Sequence, residues 1–393
     1  MKHEQILEME TAYQVPTYAK IPVAIERGEG PFVWDAQGNR YIDFYGGHCV
    51  TILGHSPKPV VEAIKKQAET LLFYSNIVYN STRAKAARLV AESAPAGLNQ
   101  VFFCNSGTEA NETALKVARK ATGKSGILAM EGGFHGRTLG SLAVTHGPKY
   151  RDPYQTILPP TEFVPFGDAE AVQRTLSRNP DIAAVILEPI QSMAGVRMAD
   201  SEYFQNLEAA CAAHGALLIF DEIQTGCGRT GRFSYAEMVG ITPSIITLAK
   251  SLGSGIPVGA TVVHEDVVQS IEPGDQGSTF GGGMLAMAAV VATLETIKDE
   301  DLASRALTIE RRLVDALKPI AVEIRGSGCL LGIEVTGPAS DIVGALRSKG
   351  LLVGGSGDPN TIRLMPPVNC PESVLDEAIA ILVETFEPVS VIA

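Results

Sequence analysis

Short apolar runs alternate with longer amphipathic stretches between about residues 100 and 265. The runs contain many β-branched residues and no alternation of apolar and polar positions, as expected for strands buried on both faces. They are Val101–Cys104, Gly126–Met130, Ala183–Leu187, Ala216–Phe220, Ser244–Leu248 and Ala260–His264. Helical stretches such as Glu109–Ala121 and Tyr203–His214 lie between the runs and end close to a glycine. This pattern predicts an α/β fold in which helices cover a mostly parallel sheet.

The two ends of the chain show a different pattern. Residues 32–44 contain two short strand-like runs around the turn-forming Gln37-Gly38-Asn39, which predicts a hairpin. Beyond about residue 290 the pattern predicts a helix, strands over Ile324–Val335 and Thr361–Met365, and a final helix over Pro371–Glu387. Both ends therefore combine helices and strands without the regular alternation of the middle.

The chain length bears on the number of domains. With 393 residues the chain exceeds the usual size of a single hydrophobic core, so two domains are expected. We predict a large domain over residues 51–285 and a smaller α+β domain formed by residues 1–50 and 286–393. A small domain built from both ends fits the pattern better than a separate carboxyl-terminal module.

Composition and charge exclude several classes of protein. The content of 45% apolar and 19% charged residues is typical of a globular protein. The net charge of -12 disfavours binding to nucleic acids or anionic membranes, which requires a basic surface. The six cysteines have no Cys-x-x-Cys spacing, which predicts free buried thiols and no metal site. No secretory signal is visible, and the longest apolar run, Met284–Leu294, is too short to span a bilayer, so we expect a cytoplasmic protein.

Polar residues that directly follow the apolar runs are the first candidates for chemistry, because ligands of open α/β sheets bind outside the carboxyl ends of the strands. After the first run, Ser106 and Glu109 have capping-box spacing at the start of a helix. Together with Gly107 and Thr108, this helix start is a candidate phosphate site. A plain structural cap would explain the same residues, so the motif needs partners.

Two other strand ends carry charged residues. Asp221 follows a run that ends at Phe220, and a carboxylate buried there needs a cation such as a protonated pyridine, or hydrogen bonds. Lys250 follows the run that ends at Leu248, where a lowered pKa would allow its amine to attack an aldehyde. Taken singly, the two residues could equally be a turn cap and a solvated surface charge.

Three further motifs complete the candidates. The loop Gly132–Thr138 supplies an aromatic ring, an imidazole and a guanidinium, and both Arg137 and Arg363 could bind a carboxylate. The segment Gly226–Gly231 matches G-x-G-x-x-G and offers a dinucleotide site as an alternative. That alternative is weak, because no helix pattern follows the glycines and no acidic residue stands about twenty positions further on. The other groups together form the set that pyridoxal phosphate needs.

These residues resemble the class III aminotransferases, the ω-amino branch of the fold-type I pyridoxal-phosphate enzymes, and in particular the acetylornithine and ornithine aminotransferases. The similarity runs from about residue 15 to 387. Its strongest stretches are Asn105–Glu112, Phe134–Thr138, Leu187–Gln191, Leu217–Gly231, Thr247–Lys250, Gly277–Gly282 and Ile362–Pro367. The resemblance implies the fold-type I architecture, with pyridoxal 5'-phosphate as the cofactor.

The resemblance also assigns residues to the cofactor. Gly107 and Thr108 would hold the phosphate, and Phe134 and Ile223 would cover the two faces of the pyridine ring. Asp221 would keep the ring nitrogen protonated, so that the ring can act as an electron sink.

Further roles follow from the same resemblance. Gln224 would hydrogen-bond the ring hydroxyl, and Lys250 would carry the cofactor as a Schiff base and then move the substrate proton. Thr279 would reach the phosphate of the neighbouring subunit, with Ser278 near the substrate. An obligate homodimer with shared active sites is therefore implied.

The substrate side of the implied site departs from the family pattern. Arg137 and Arg363 correspond to the two carboxylate receptors of the family. Ornithine-type enzymes have a glutamate that pairs with the second arginine, but Met193 stands at that position here. His48 stands where relatives have tyrosine or an aliphatic residue. Since Arg363 would remain unpaired, substrates that carry an acid in both half-reactions are favoured.

We expect a ping-pong transaminase that moves an amino group from an amino acid to a 2-oxo acid such as 2-oxoglutarate. The donor would be acetylornithine-like, ornithine-like or another acidic amine. A class III decarboxylase or an amino-acid racemase would use the same Lys250 and Asp221 and stays an alternative. A cofactor-binding regulator without turnover is disfavoured by the acidic composition and the lack of a DNA-binding segment.

Overall fold

The computed structural model describes residues 1–386 of the chain. Its helices are α1 (His3–Tyr13), α2 (Gly46–Cys49), α3 (Lys58–Thr70), α4 (Ser81–Ser93), α5 (Gly107–Thr122), α6 (Leu139–Ala143), α7 (Pro148–Arg151), α8 (Ala169–Arg178), α9 (Ser201–His214), α10 (Ala236–Val239), α11 (Glu265–Val268), α12 (Met284–Asp299), α13 (Leu302–Leu317), α14 (Ala339–Ser348) and α15 (Glu372–Phe386). Short 3-10 helices cover Asp152–Ile157 and Lys250–Gly253.

Three sheets are built from the strands. The strands are β1 (Ile25–Glu29), β2 (Phe32–Asp35), β3 (Arg40–Asp43), β4 (Leu98–Cys104), β5 (Gly126–Met130), β6 (Thr161–Val164), β7 (Ile182–Leu187), β8 (Leu217–Asp221), β9 (Ile245–Leu248), β10 (Gly259–His264), β11 (Glu323–Ser327), β12 (Leu330–Glu334), β13 (Leu351–Leu352), β14 (Gly354–Gly355) and β15 (Thr361–Leu364). The large sheet has the order β4-β10-β9-β8-β7-β5-β6, and only β10 runs against the other strands.

All six apolar runs predicted as strands lie in this large sheet. Successive residues of β7 point to opposite faces, as the strand period of two requires. Ala184 and Ile186 pack into one apolar cluster with the inner face of α5, whereas Val185 and Leu187 belong to the larger cluster on the other side. Burial on both faces explains why these strands read as unbroken apolar runs.

One strand of the large sheet had no counterpart in the prediction. Strand β6 (Thr161–Val164) pairs only with β5 at the edge of the sheet, and three of its four residues are half-buried. A short edge strand lacks the continuous apolar character that marks the central strands. The pattern therefore carried no signal for it.

The remaining sheets are formed by the two ends of the chain. The predicted hairpin is present as β2 and β3, and β13 pairs with β3 in parallel. The run predicted as strand over Ile324–Val335 folds into the hairpin β11–β12, which turns at Gly328 with φ +57. The sheet of β1, β2, β3 and β13 brings both chain ends together, while the division into two domains stays a prediction.

Three other expectations meet the structure as follows. The final helix is Glu372–Phe386, and Glu387 with the rest of the predicted small domain up to residue 393 lies outside the described residues. All six cysteines are free and buried, as predicted. In residues 1–386, no helix has the length and apolar character that a membrane crossing requires.

Candidate active site

A cavity of about 530 Å³ opens at the carboxyl edge of the large sheet. The ends of β4, β5, β7, β8 and β9 meet there, as the parallel arrangement requires. Eight of the predicted site residues line it: His48, Gly107, Thr108, Phe134, Asp221, Ile223, Gln224 and Lys250. The sequence prediction and the topology therefore converge on one cavity.

Asp221 is a buried carboxylate at the end of β8 that is held from two sides. Its Oδ2 lies 2.7 Å from Nδ1 of His135 and accepts a hydrogen bond of 2.8 Å from Nδ2 of Asn111. Its Oδ1 accepts the backbone N–H of Ile223 at 3.1 Å. Asn111 in turn accepts a hydrogen bond from the hydroxyl of Thr247 at 2.8 Å. These bonds compensate the carboxylate for lost water and fix its direction at the cavity floor.

Lys250 begins the 3-10 helix after β9 and lines the same cavity. Its φ of +41 lies in the left-handed region, which a non-glycine residue adopts at a cost. Desolvation by burial lowers the pKa of its amine, against the opposing effect of the Cys49, Asp221 and Glu188 side chains. A lowered pKa increases the share of neutral amine, which is the nucleophilic form.

Glu188 is a second buried carboxylate, for which no role was predicted. It follows β7, lines the cavity and accepts the backbone N–H of Phe134 at 2.8 Å. Desolvation raises the pKa of this carboxyl to about 7, and the nearby His135 partly opposes the rise. Its position directly after a buried strand is the signal that singled out Asp221, and the same signal could have found Glu188.

The first turn of α5 borders the cavity at Ser106, Gly107 and Thr108. Ser106 caps the helix by accepting the N–H of Glu109 at 3.3 Å, but the Glu109 carboxylate binds the N–H of Asn105 at 2.6 Å instead of closing a capping box. First-turn amides have no partner within a helix, so those of Gly107 and Thr108 are available to an anion. A side chain at position 107 would collide with Ile223, whose Cδ1 lies 2.6 Å from the ideal Cβ position.

A left-handed turn forms part of the wall of the cavity that Lys250 also lines. Four consecutive residues, Gly46 to Cys49, have φ values of +59, +54, +72 and +63. The Asp43 carboxylate anchors the turn, since it accepts the N–H groups of Tyr45, Gly46 and Gly47 at 2.9, 3.0 and 3.2 Å. The turn places the His48 ring in the cavity wall. At His48 and Cys49 this conformation is costly because the Cβ approaches the following carbonyl oxygen.

His48 is uncharged at neutral pH. Burial, followed by the charges of Arg363 and Lys250, lowers the pKa of its imidazole to about 4. Its Nδ1 is within hydrogen-bond distance of the Tyr45 hydroxyl. A neutral ring in this position adds no further positive charge to a cavity that already contains a lysine.

Arg363 is buried behind the cavity on β15, with 2% of its surface exposed. Its Nε donates to the Gly355 carbonyl oxygen at 2.7 Å and its Nη1 to the Ser192 hydroxyl at 2.9 Å. Within residues 1–386 its guanidinium forms no salt bridge, and both of its hydrogen bonds go to uncharged oxygen atoms. Met193, at the position of the expected glutamate, accepts the N–H of Gly357 through its carbonyl oxygen at 2.6 Å. Burial lowers the pKa of this guanidinium.

The structure does not bring the other predicted residues into the cavity of a single chain. Arg137 is exposed and stacks over the Tyr150 ring, with 4.8 Å between its Cζ and the ring centroid. Thr279 is exposed, and the Ser278 hydroxyl accepts hydrogen bonds from Nδ2 of Asn105 at 3.2 Å and from the N–H of Gly281 at 2.9 Å.

The Gly226–Gly231 segment is a buried packing element. Every one of its residues is buried, and a side chain at Gly226 would lie 2.8 Å from the carbonyl oxygen of Glu222. The Nη1 of Arg229, a residue of this segment, donates a hydrogen bond of 2.6 Å to the Pro366 carbonyl oxygen. No surface is left on which a pyrophosphate could lie, so the dinucleotide alternative has no support.

The groups around the cavity match what pyridoxal phosphate requires. A helix start is available for the phosphate, the Asp221 carboxylate for a ring nitrogen and the Lys250 amine for an aldehyde. Ile223 and Phe134 provide apolar surfaces between these groups. The fold and the cavity therefore define a pyridoxal-phosphate-dependent enzyme.

Comparison with known proteins gives the family. Residues 13–386 match the family model of the class-III aminotransferases. The acetylornithine aminotransferase of Methanopyrus kandleri is 46% identical over 96% of this chain and 98% of its own length, and that of Bacillus subtilis is 42% identical over 93% and 95%. The ornithine aminotransferase structure from Toxoplasma gondii superposes with a TM-score of 0.93 and 32% identity, covering 98% of this chain and 94% of that chain.

The chain belongs to the class-III aminotransferase family. It is a transaminase that depends on pyridoxal 5'-phosphate. The predicted family, fold class, enzyme class and cofactor are therefore confirmed.

The lowered pKa of His48 predicts a specific loss of stability in acid. The unfolded chain takes up a proton on His48 below about pH 6.5, whereas the folded chain resists it until about pH 4. The free energy of unfolding therefore falls as the pH falls through this window, by roughly 3 kcal/mol on account of this group. His48→Asn, which tolerates the left-handed backbone, should reduce that loss. Urea unfolding at pH 7 and pH 4.5 measures it, and an equal loss in both proteins would contradict the assignment.

Proposed function

We propose that the enzyme transfers an amino group from an acid-bearing amine, of the acetylornithine or ornithine kind or another acidic donor, to a 2-oxo acid such as 2-oxoglutarate by a ping-pong route. The observation that carries this proposal is the buried Arg363, which has no carboxylate partner among the described residues. A buried guanidinium gains most from a substrate carboxylate, because the partner removes an uncompensated charge. The names of the relatives favour the acetylornithine kind of donor.

We assign the cofactor contacts as follows. The amides of Gly107 and Thr108 would hold the phosphate, and Thr279 of a second subunit would add a hydroxyl. Phe134 and Ile223 would cover the ring faces. When bound, pyridoxal phosphate takes up the electron pair released at the substrate carbon and carries the amino group between the two half-reactions.

The residues on the cavity floor would handle the protons. Asp221, fixed by His135 and Asn111, would hold a proton on the ring nitrogen, since its ionised form gains from a cation. The Lys250 Nζ would attach the cofactor covalently at its aldehyde and, once released, accept and return the proton of the substrate carbon. Gln224 would hydrogen-bond the ring hydroxyl.

We assign the substrate contacts to the two arginines and to the left-handed turn. Arg363 would hold the carboxylate of the acceptor, with His48 and Met193 shaping the space beside it. Arg137 would hold the second carboxylate, and Ser278 would lie near the substrate. In the single chain Arg137 rests on Tyr150 instead, so this role requires it to turn toward the cavity.

We further propose that two copies form a homodimer with shared sites. An exposed apolar segment, residues 71–79, includes Ile77 and Tyr79 with 87% and 106% of their surface exposed. Phe73 of this segment contacts Phe280, with 5.3 Å between the ring centroids, so the segment is continuous with the exposed Thr279. An apolar patch that includes the loop of a predicted cofactor contact fits a second copy of the chain.

Replacing Lys250 tests the cofactor attachment. Lys250→Ala should remove the visible absorption of the lysine-linked cofactor and lower the turnover rate by about a thousandfold or more, because the nucleophile and the proton carrier are both lost. Absorption spectra and rate measurements check this, with circular dichroism to verify the fold. Lys318→Ala, at an exposed lysine beyond α13, is the matched control. Wild-type rates in Lys250→Ala would refute the assignment.

The donor preference is tested with a panel of amines and 2-oxoglutarate. The wild type should form glutamate from acid-bearing donors. Release of carbon dioxide, or loss of optical purity without formation of a new amino acid, would instead identify the decarboxylase or the racemase.

In the same panel, Met193→Glu should raise kcat/KM for donors with a free ω-amine by about tenfold, because the carboxylate would pair with Arg363 when no substrate acid is present. Met193→Gln has a similar shape without the charge and should show no gain. If Met193→Glu gains nothing toward ornithine, acetylornithine or other ω-amines, the account of this position fails.

Mixed dimers test the shared sites. Lys250→Ala and Thr279→Asp should each inactivate a homodimer, the second by placing a carboxylate against the phosphate. When the two chains are coexpressed, heterodimers contain one intact site, so about a quarter of the wild-type activity should return on random association. Light scattering should give twice the chain mass of 41.6 kDa. A monomeric mass, or a mixture that stays inactive, would exclude shared sites.

A further inference from the structure

The hydroxyl of Ser192 lies between a residue of the substrate side and a residue of the cofactor side. It accepts a hydrogen bond from Nη1 of Arg363 at 2.9 Å and donates one to Oε1 of Gln224 at 3.0 Å. Ser192 itself is completely buried, whereas Gln224 lines the cavity. Arg363 and Gln224 are therefore connected through a single side chain that contacts neither the solvent nor the cavity.

Arg363 determines the direction of this short chain of hydrogen bonds. A guanidinium has only donors, so the Ser192 oxygen must accept from it, and the hydroxyl hydrogen is left to donate. Within the described residues, Oε1 of Gln224 is the acceptor for that hydrogen. If the Gln224 amide were reversed, the buried hydroxyl hydrogen would have no acceptor, which costs free energy.

The orientation of the amide decides which group the cavity receives. With Oε1 turned toward Ser192, the Nε2 of Gln224 is directed away from it and remains free to donate. With the amide reversed, the cavity would receive an acceptor. The two orientations have nearly the same shape, so only the hydrogen-bond partners distinguish them.

We propose that Ser192 is a positioning residue that holds the Gln224 amide with its NH₂ group toward the cofactor site, under the direction imposed by Arg363. This inference rests on the proposed function, in which Gln224 meets the ring hydroxyl of pyridoxal phosphate. A donor at that position would stabilise the ionised ring oxygen. This oxygen would then attract the proton of the neighbouring lysine nitrogen less strongly.

The test is a spectrophotometric pH titration of the bound cofactor. In Ser192→Ala the amide loses its anchor, and the titration midpoint of the lysine-linked cofactor should rise by about one pH unit, a tenfold change in proton affinity. Gln224→Ala should raise it similarly. The double variant should titrate like Gln224→Ala alone, because Ser192 acts only through the amide.

Ser327→Ala is the matched control. It also removes a buried hydroxyl, one that donates to the Thr230 carbonyl oxygen at 3.0 Å, and Ser327 does not line the cavity. Its titration midpoint should equal that of the wild type. An unchanged or lowered midpoint in Ser192→Ala, an equal rise in Ser327→Ala, or additive rises in the double variant would each overturn the proposal. A wild type that binds the cofactor but fails in the donor panel would refute the proposed function instead, which separates the two failures.

Discussion

The site depends on holding the Asp221 carboxylate in place at the bottom of a cavity, at the end of a strand buried on both faces. Asp221 has lost most of its contact with water, and such a group is stable only if hydrogen bonds replace its hydration. Its bonds come from α5, from the loop after β5 and from its own turn. Asn111 lies on α5, so the packing of α5 against the sheet also positions a hydrogen-bond donor to Asp221. A shifted helix would remove that donor. The same helix and strands therefore form the hydrophobic core and hold the residues of the candidate site.

The backbone around the cavity holds strain in the places where side chains must enter it. His48, Cys49 and Lys250 all have positive φ values, a conformation that costs about 1–3 kcal/mol for each such residue. At the turn, three N–H groups bonded to Asp43 offset part of this cost. The other two residues of the turn, Gly46 and Gly47, adopt positive φ values at little cost. The strain is therefore confined to His48 and Cys49, whose side chains face the interior. His48 and Lys250, which both line the cavity, therefore both extend from strained backbone.

The sequence pattern was sufficient for the central strands and for the charges that follow them, because each signal is contained in a few adjacent residues. Asp221 and Lys250 could be found in this way, and Glu188 carried the same signal. Asn111 and Ser192 could not, since each acquires its meaning from a partner more than thirty positions away in the chain, with 110 positions from Asn111 to Asp221 and 32 from Ser192 to Gln224. From the sequence alone, an amide or hydroxyl side chain that positions a functional residue cannot be distinguished from one that does not.

Arg363 shows how desolvation can set both specificity and geometry. A buried guanidinium without a carboxylate is costly, and the bonds to Gly355 and Ser192 satisfy two of its donors without cancelling its charge. The neighbouring His48 stays neutral, because burial and then the charge of Arg363 lower the pKa of its imidazole to about 4. The remaining unneutralised charge is what a substrate acid would relieve. In the proposed function, the Arg363 charge would favour acidic substrates. It would also, through the Ser192 hydroxyl, orient the Gln224 amide toward the cofactor.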